Sequence, residues 1–289
     1  MSPATVVVIG SLTIDEIRVN LETTRRVGGV VTYSGLTFRR LGIETTVVTR
    51  VSGSNQELLQ ALRREGISVL GRKSAQTTRF INAVSEDGRN QIILSHADPI
   101  EFADASYSLR PDVHVHLGPL HPDDIDPKLV GHVRSQVRSV SLDVQGYVRR
   151  ISEGRVVEGV HDTLALALKG MSVVKADARE LELILSFFNL DEVALLERFE
   201  IEELIVTDGS RGGRVSSRRN PPYVYPAPLV REGGDAVGAG DVFCATYVTH
   251  RLFRRRTVPE ACTAAARLAA LHVAASFIPA EALAVSAQS

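Results

Sequence analysis

Gly233-Gly234-Asp235-Ala236-Val237-Gly238-Ala239-Gly240-Asp241-Val242-Phe243 packs small residues directly ahead of a segment that continues through Tyr247, Val248 and Leu252 at helical spacing. The run predicts a tight turn feeding a helix N-terminus, where the first N–H groups lack intrahelical acceptors and the helix dipole presents its positive end. Such a turn is a ready anion site. Gly238 and Gly240 let the backbone approach a phosphate closely. Asp241 would be an acid beside that anion hole, an odd position unless its carboxylate takes a proton from a hydroxyl attacking phosphorus. On these residues alone, a plain turn with Asp241 as a helix cap accounts for the same stretch.

The flanking chain alternates strand and helix. Thr5 to Gly10 is a continuous apolar run ending in glycine, as in a central parallel strand covered on both faces. Tyr33 to Leu41 has helical spacing with Gly42 as its stop, and Thr45 to Val51 reads as a second strand. Gln56 to Glu65 is a further helix, followed by a strand from Ile67 to Leu70. Core strands are predicted at Val113 to Leu117, Ser139 to Val144, Met171 to Lys175 and Leu204 to Thr207. Helices are predicted at Pro127 to Val137, Ala178 to Phe187 and Asp191 to Glu200, then at Asp241 to Phe253 and Glu260 to Phe277. This rhythm predicts a doubly wound sheet. It is interrupted by Thr78 to Val84 and Arg89 to Ser95, joined at Glu86-Asp87-Gly88, a hairpin signal. An antiparallel insert of this kind suits a flap over the ligand end of the sheet. Residues 211 to 234, with four prolines between Pro221 and Pro228, read as edge strands and loops.

Composition narrows the function. The 289 residues carry 33 Lys plus Arg against 34 Asp plus Glu, a net charge of -1, with 44% hydrophobic residues. That balance offers phosphate backbones and anionic lipid no global attraction, so neither nucleic acid nor membrane is an expected partner. No uncharged run approaches the ~18 residues of a membrane span. Cys244 and Cys262 are too few for a disulfide framework, which points to a reducing, cytoplasmic compartment. There is no Gly-Lys dipeptide for a Walker A loop, and Gly10-Ser11-Leu12 lacks the glycine pattern of a dinucleotide fold.

Asp235-Ala236-Val237-Gly238-Ala239-Gly240-Asp241-Val242-Phe243 resembles the C-terminal signature, Asp-Thr-x-Gly-Ala-Gly-Asp-x-Phe, of the ribokinase-like (PfkB-type) carbohydrate kinases. The resemblance extends over nearly the whole chain. It implies a three-layer α/β/α, doubly wound, mostly parallel sheet with a small β lid. All 289 residues would form one kinase domain, with lid strands from about 12–34 and 76–98. It implies an ATP- and Mg²⁺-dependent transfer of a phosphoryl group to a small sugar, polyol or nucleoside. Asp241 would be the base, and Gly238, Ala239 and Gly240 the anion hole. Asp15, Gly28 and Gly29 would orient the acceptor. Gln145 and Arg149, with Ala97-Asp98-Pro99-Ile100, sit in segments similar to archaeal members described as myo-inositol or nucleoside kinases, and would also touch the acceptor. Lys175-Ala176-Asp177-Ala178-Arg179-Glu180 occupies the place of the family's Asn-x-x-Glu motif. Asp177 and Glu180, at i and i+3, share one helical face and suit water-mediated Mg²⁺, though the same spacing suits a helix cap. Lys175, Thr207, Gly209 and Gly212 would contact the nucleotide.

Two departures bear on function. Ala236 stands where the family has Thr or Ser, which implies altered nucleotide handling. The family's Lys and Asn after the Gly-Gly pair are replaced by Val30 to Ser34, which argues against ribose, while the short lid and the archaeal-like segments favour inositol or another sugar, then a nucleoside. A binding protein that senses sugar or nucleotide without turnover, and an enzyme using ADP as donor, are the alternatives. His114, His116 and His121 cluster, but without the further ligands of a metal site. The Ala-rich stretch 264–275 is read as a buried core helix, with a homodimer seam as the alternative.

Overall fold

The computed structural model describes residues 4–19, 22–85, 88–229, 235–279 and 283. Asn20, Glu86, Asp87, Gly233 and Gly234 lie outside the described residues. The chain runs through β1 (Thr5–Gly10), β2 (Thr13–Val19), β3 (Glu22–Gly28), α1 (Val30–Arg40), β4 (Glu44–Val48), α2 (Leu58–Arg64), β5 (Ser68–Leu70), β6 (Thr78–Ser85) and β7 (Gly88–Ser95). It continues with α3 (Phe102–Ala105), β8 (His114–Gly118), α4 (Pro127–Gln136), β9 (Ser139–Asp143), β10 (Arg149–Ser152), β11 (Arg155–Glu158), α5 (Leu164–Leu168) and β12 (Val173–Asp177). The last elements are α6 (Ala178–Phe188), α7 (Glu192–Arg198), β13 (Glu203–Thr207), β14 (Gly213–Ser217), β15 (Tyr223–Tyr225), α8 (Ala239–Val248) and α9 (Val258–Val273).

Nine strands form the large sheet in the order β15-β14-β13-β12-β9-β8-β1-β4-β5. All neighbours are parallel except at β14 and β15, the Pro-bounded edge. Successive side chains of β1 point to opposite faces, so Val6 and Val8 join one core while Val7 and Ile9 join the other. The first core is covered by α1, α2, α8 and α9, with Tyr33, Phe38 and Tyr247 fully buried. The second is covered by α4 to α7, through Leu129, Leu164, Leu181 and Leu195. These are the three layers that the alternation of strand and helix predicts. β1 lies between β4 on one side and β8 on the other, so the direction of winding reverses there. In open α/β sheets the crevice beyond the carboxyl ends at such a reversal receives ligands.

A second sheet of six strands, β10-β11-β7-β6-β2-β3, stands at that same end. β6 and β7 pair antiparallel with a register shift between Arg79 and Phe80, and β2 pairs parallel with β6. Two sequence expectations change here. Residues 30–34 belong to α1, because Gly29 at φ 86 and ψ 162 turns the chain out of β3 into the helix. Residues 149–158, not anticipated as strands, form the β10–β11 hairpin at the edge of this sheet. Its turn residues Glu153 and Gly154 both have positive φ, 49 and 78, the conformation of a tight two-residue hairpin.

Candidate active site

A cavity of about 560 Å³ opens between the two sheets, within the size range of small-molecule sites. On the second-sheet side it is lined by Thr13, Asp15, Phe80, Asn82 and Gln91. The carboxyl ends of β9, β12 and β13 supply Asp143, Lys175, Asp177 and Thr207, with Gly209 and Gly212 just beyond. The turn Ala236 to Asp241 closes the middle, and Ala266, Ala269 and Ala270 of α9 form an apolar arm.

Gly238 caps α8 in the left-handed conformation, φ 81 and ψ -4. A Cβ there would stand 2.4 Å from the buried Tyr33 ring, so only glycine fits. The N–H of Val242 reaches Gly238 O at 2.9 Å and starts the helix. Ala239 N–H donates to Ala236 O at 3.1 Å, within the turn. The donors left to meet an anion are therefore those of Gly240 and Asp241, not that of Ala239. Lys175 lies directly beneath: a Cβ on Gly240 would be 3.3 Å from its Nζ.

Lys175 Nζ is 3.1 Å from Asp143 Oδ2 and 3.8 Å from Glu180 Oε2. Burial alone would push the ammonium down, but Asp143, Glu180 and Asp241 outweigh it and hold Lys175 charged. Asp241 faces the opposite balance. Burial raises its carboxyl and the Asp143 charge adds to this, while Lys175, Ser34 and Arg149 oppose, and the outcome is a carboxyl pushed up to about 7. An acid so placed changes protonation near neutral pH, as a general base must. Asp143 is the residue that sequence reasoning passed over. Its signal was modest, a carboxylate at the end of a buried strand, and its partners Lys175 and Asp241 are remote in sequence.

Asp177 and Glu180 are brought together, but as a capping box. Asp177 Oδ1 accepts the Glu180 N–H at 2.7 Å and Glu180 Oε2 accepts the Asp177 N–H at 2.7 Å. Asp177 still lines the cavity, whereas Glu180 is turned toward Lys175 and its own helix. No group of three or more His, Cys, Asp or Glu among the described residues is placed to hold a metal ion directly. His114 and His116 hydrogen-bond the Ser139 and Ser141 hydroxyls, and burial pushes them down to about 3 and about 4. His121 instead lies 2.8 Å from Asp124.

On the second-sheet side, Asp15 is buried, takes the Thr13 hydroxyl at 2.9 Å, and packs where a Cβ on Gly28 would be 2.1 Å from its Oδ2. A Cβ on Gly29 would be 2.2 Å from Ser11 O. Close packing thus disfavours a side chain at both glycines, and at Gly29 the positive φ of 86 does so as well. Gln145 lines the cavity and donates its N–H to Asp143 Oδ1 at 3.0 Å; Arg149 Nη1 reaches Leu120 O at 3.4 Å. Gly212, at φ 93, lies so near Tyr225 O that a Cβ would be 2.1 Å away. Thr207, Gly209 and Gly212 border the side of the cavity that continues into the apolar arm.

Among solved structures, a pyrophosphate-dependent kinase of the ribokinase family, complexed with a pyrophosphate analogue and myo-inositol, is similar over 96% of this chain and 98% of its own, with a TM-score of 0.84 and 24% identity. The nucleoside kinase of Methanocaldococcus jannaschii aligns over 97% and 96%, with a TM-score of 0.70 and 17% identity. Arabidopsis thaliana ribokinase, complexed with ribose and ATP, aligns over 98% and 96%, with a TM-score of 0.74 and 19% identity. At these identities the likeness is one of fold. No curated protein matches by sequence. Residues 3–276 match the pfkB family carbohydrate kinases. This chain accordingly belongs to the pfkB carbohydrate kinase family: a phosphotransferase with an alcohol group as acceptor, on a ribokinase-like fold.

Proposed function

We propose that the enzyme transfers the γ-phosphoryl group of ATP to a hydroxyl of a small polyol or sugar of the myo-inositol kind. The observation that carries this reading is the Asp241 carboxyl, pushed up to about 7 beside the N–H groups of Gly240 and Asp241 and above the Lys175 ammonium. Asp241 takes the proton of the acceptor hydroxyl as its oxygen bonds to the terminal phosphorus and the bond to the ADP oxygen breaks. The two N–H groups and Lys175 face the charge that develops on the transferring group. Asp15, Gly28, Gly29, Gln145 and Arg149 hold the acceptor, and the polar wall of Asn82 and Gln91 suits a ring of hydroxyls better than a base. Thr207, Gly209 and Gly212 with the alanines of α9 supply a wall for the nucleoside part of ATP.

Mg²⁺ fits this site only as a hydrated ion. Asp177 would hold it through water, together with donor phosphate oxygens, where it would neutralise phosphate charge. Glu180 acts through the helix cap and not as a direct ligand. The second sheet serves as a lid that keeps water from competing with the acceptor, and residues 1–289 act as one kinase domain. Two buried free thiols support a reducing, cytoplasmic setting.

A second donor is favoured by a specific likeness. A pyrophosphate-dependent kinase aligns over 96% of the chain, and backbone N–H groups beside an ammonium would serve the phosphates of either donor. The test is phosphoester formation from myo-inositol, fructose, ribose, cytidine and inosine with ATP, ADP or pyrophosphate as donor. Turnover with ATP and a polyol, lost in Asp241→Asn while the variant still binds ATP, is the expected result. Wild-type turnover in that variant refutes the base; turnover with pyrophosphate alone refutes the nucleotide.

A further inference from the structure

We infer that Arg26, outside the cavity, is a positioning residue that holds the anion-binding turn in shape through Asp235. The inference rests on the kinase reading above for its catalytic consequence, and on geometry alone for its structural one.

Arg26 belongs to β3 of the second sheet, in register with Asp15 of β2. Its Nη1 donates to Asp235 Oδ2, across 209 positions of sequence. The other oxygen of Asp235 accepts the Val237 N–H at 2.9 Å. Val237 O is held in turn by His272 Nε2 of α9, at 2.9 Å. The Tyr33 ring lies under Gly238 and meets the His272 ring edge-on at 5.5 Å. Segment 235–238 is therefore gripped by side chains from β3, α1 and α9, none of which belongs to the helix it starts.

The polar atoms of this grip are unevenly satisfied. Among the described residues, Arg26 Nε and Nη2, Tyr33 Oη and His272 Nδ1 are buried with no hydrogen-bonding partner. Buried donors left unpaired are costly and call for an explanation. The Arg26 side chain is 17% exposed and that of Asp235 is 50% exposed. As a plain surface ion pair this contact would contribute little. Its effect comes from where Asp235 stands: the same carboxylate that meets the guanidinium fixes the N–H one residue before Gly238. Burial opposes ionisation of Asp235, but Arg26 and the Val237 N–H prevail and keep it charged. Val237 and Gly238 line the cavity and Arg26 does not, so Arg26 acts on phosphoryl transfer through the turn, while its charge beside its register partner Asp15 is a second route that the acceptor KM reads. The pair also ties the acceptor-side sheet to the donor-side turn.

The test compares wild type with Arg26→Ala, Arg26→Gln, Asp235→Asn and the Arg26→Ala/Asp235→Asn double variant. Amide hydrogen exchange at residues 236–241 of the resting enzyme is read beside kcat and the KM for each substrate. Exchange at Val237 should quicken about tenfold in each variant, as expected for losing a charge-assisted hydrogen bond. Turnover should fall about 10- to 100-fold with acceptor KM within about twofold, because a small displacement of the turn acts on the reacting geometry. The double variant should be no worse than the poorer single one. Should Arg26→Ala melt early, Arg26→Gln gives the same reading with the stem retained. Wild-type exchange in the variants, or losses that simply add, overturn the inference. Absence of turnover in the wild type with every donor sinks the kinase reading instead, and the exchange data still decide whether Arg26 holds the turn.

Discussion

Replacing Gly238 by alanine sets a methyl group against the buried Tyr33 ring where α8 begins. Gly238 has φ 81, and an added Cβ would lie 2.4, 2.5 and 2.7 Å from three atoms of the Tyr33 ring. Placing an L-residue in the left-handed region costs about 1–2 kcal/mol. Forcing a methyl group into filled space costs about 1–3 kcal/mol more, since Tyr33 is buried and has nowhere to retreat. Together these predict a loss of about 2–5 kcal/mol in urea unfolding at 25 °C. Relief by shifting the turn would carry the Gly240 and Asp241 N–H groups off the phosphoryl, and a displacement near 1 Å lowers kcat about 100-fold. Gly131 in α4 is the matched control, because a Cβ there meets nothing within 4 Å. Gly131→Ala should gain about 0.5–1 kcal/mol and leave turnover unchanged. A Gly238→Ala enzyme within about 0.5 kcal/mol of wild type, at half its kcat or more, would refute the argument that Tyr33 and the left-handed cap dictate glycine.

Two further outcomes follow from charge. With Asp241 as base and its carboxyl at about 7, kcat/KM should rise with pH below that value and level off above it. Asp143→Asn removes a charge that raises Asp241 and frees Lys175 to stabilise the carboxylate, so the inflection should move to lower pH; an upward move contradicts the assigned causes. At the opposite end of the sheet, buried Glu203 accepts the Tyr247 hydroxyl at 2.7 Å and Arg251 Nε at 2.8 Å. Glu203→Ala should cost about 2–3 kcal/mol in urea unfolding, by leaving Tyr247 buried and unpaired. It should barely change KM, since Glu203 lies away from the cavity.

Features governed by contiguous residues were legible before any coordinates. The continuous apolar run at Val6 to Ile9, the stops at Gly42 and Gly66, and the tight turn before α8 each depend on backbone propensities and spacing over a few positions. The β10–β11 hairpin was not legible, because Arg149–Ser152 and Arg155–Glu158 are four residues each, too short to display period-two alternation, and the first lies at the sheet edge. The Glu153-Gly154 dipeptide between them was the available signal, and a weak one.

The roles of individual carboxylates divide the same way. Spacing put Asp177 and Glu180 on one helical face, but cap and metal ligand share that spacing, and only the folded chain turns Glu180 inward to the Asp177 N–H and Lys175. Asp235 through Asp241 predict a turn into a helix N-terminus by themselves, since that feature is made by its own residues, but the same stretch suits a plain capped turn. What raises the Asp241 carboxyl is burial together with Asp143, and what grips the turn is Arg26, Tyr33 and His272. Those are consequences of low dielectric and of contacts between remote strands, and neither exists until the layers close around the site.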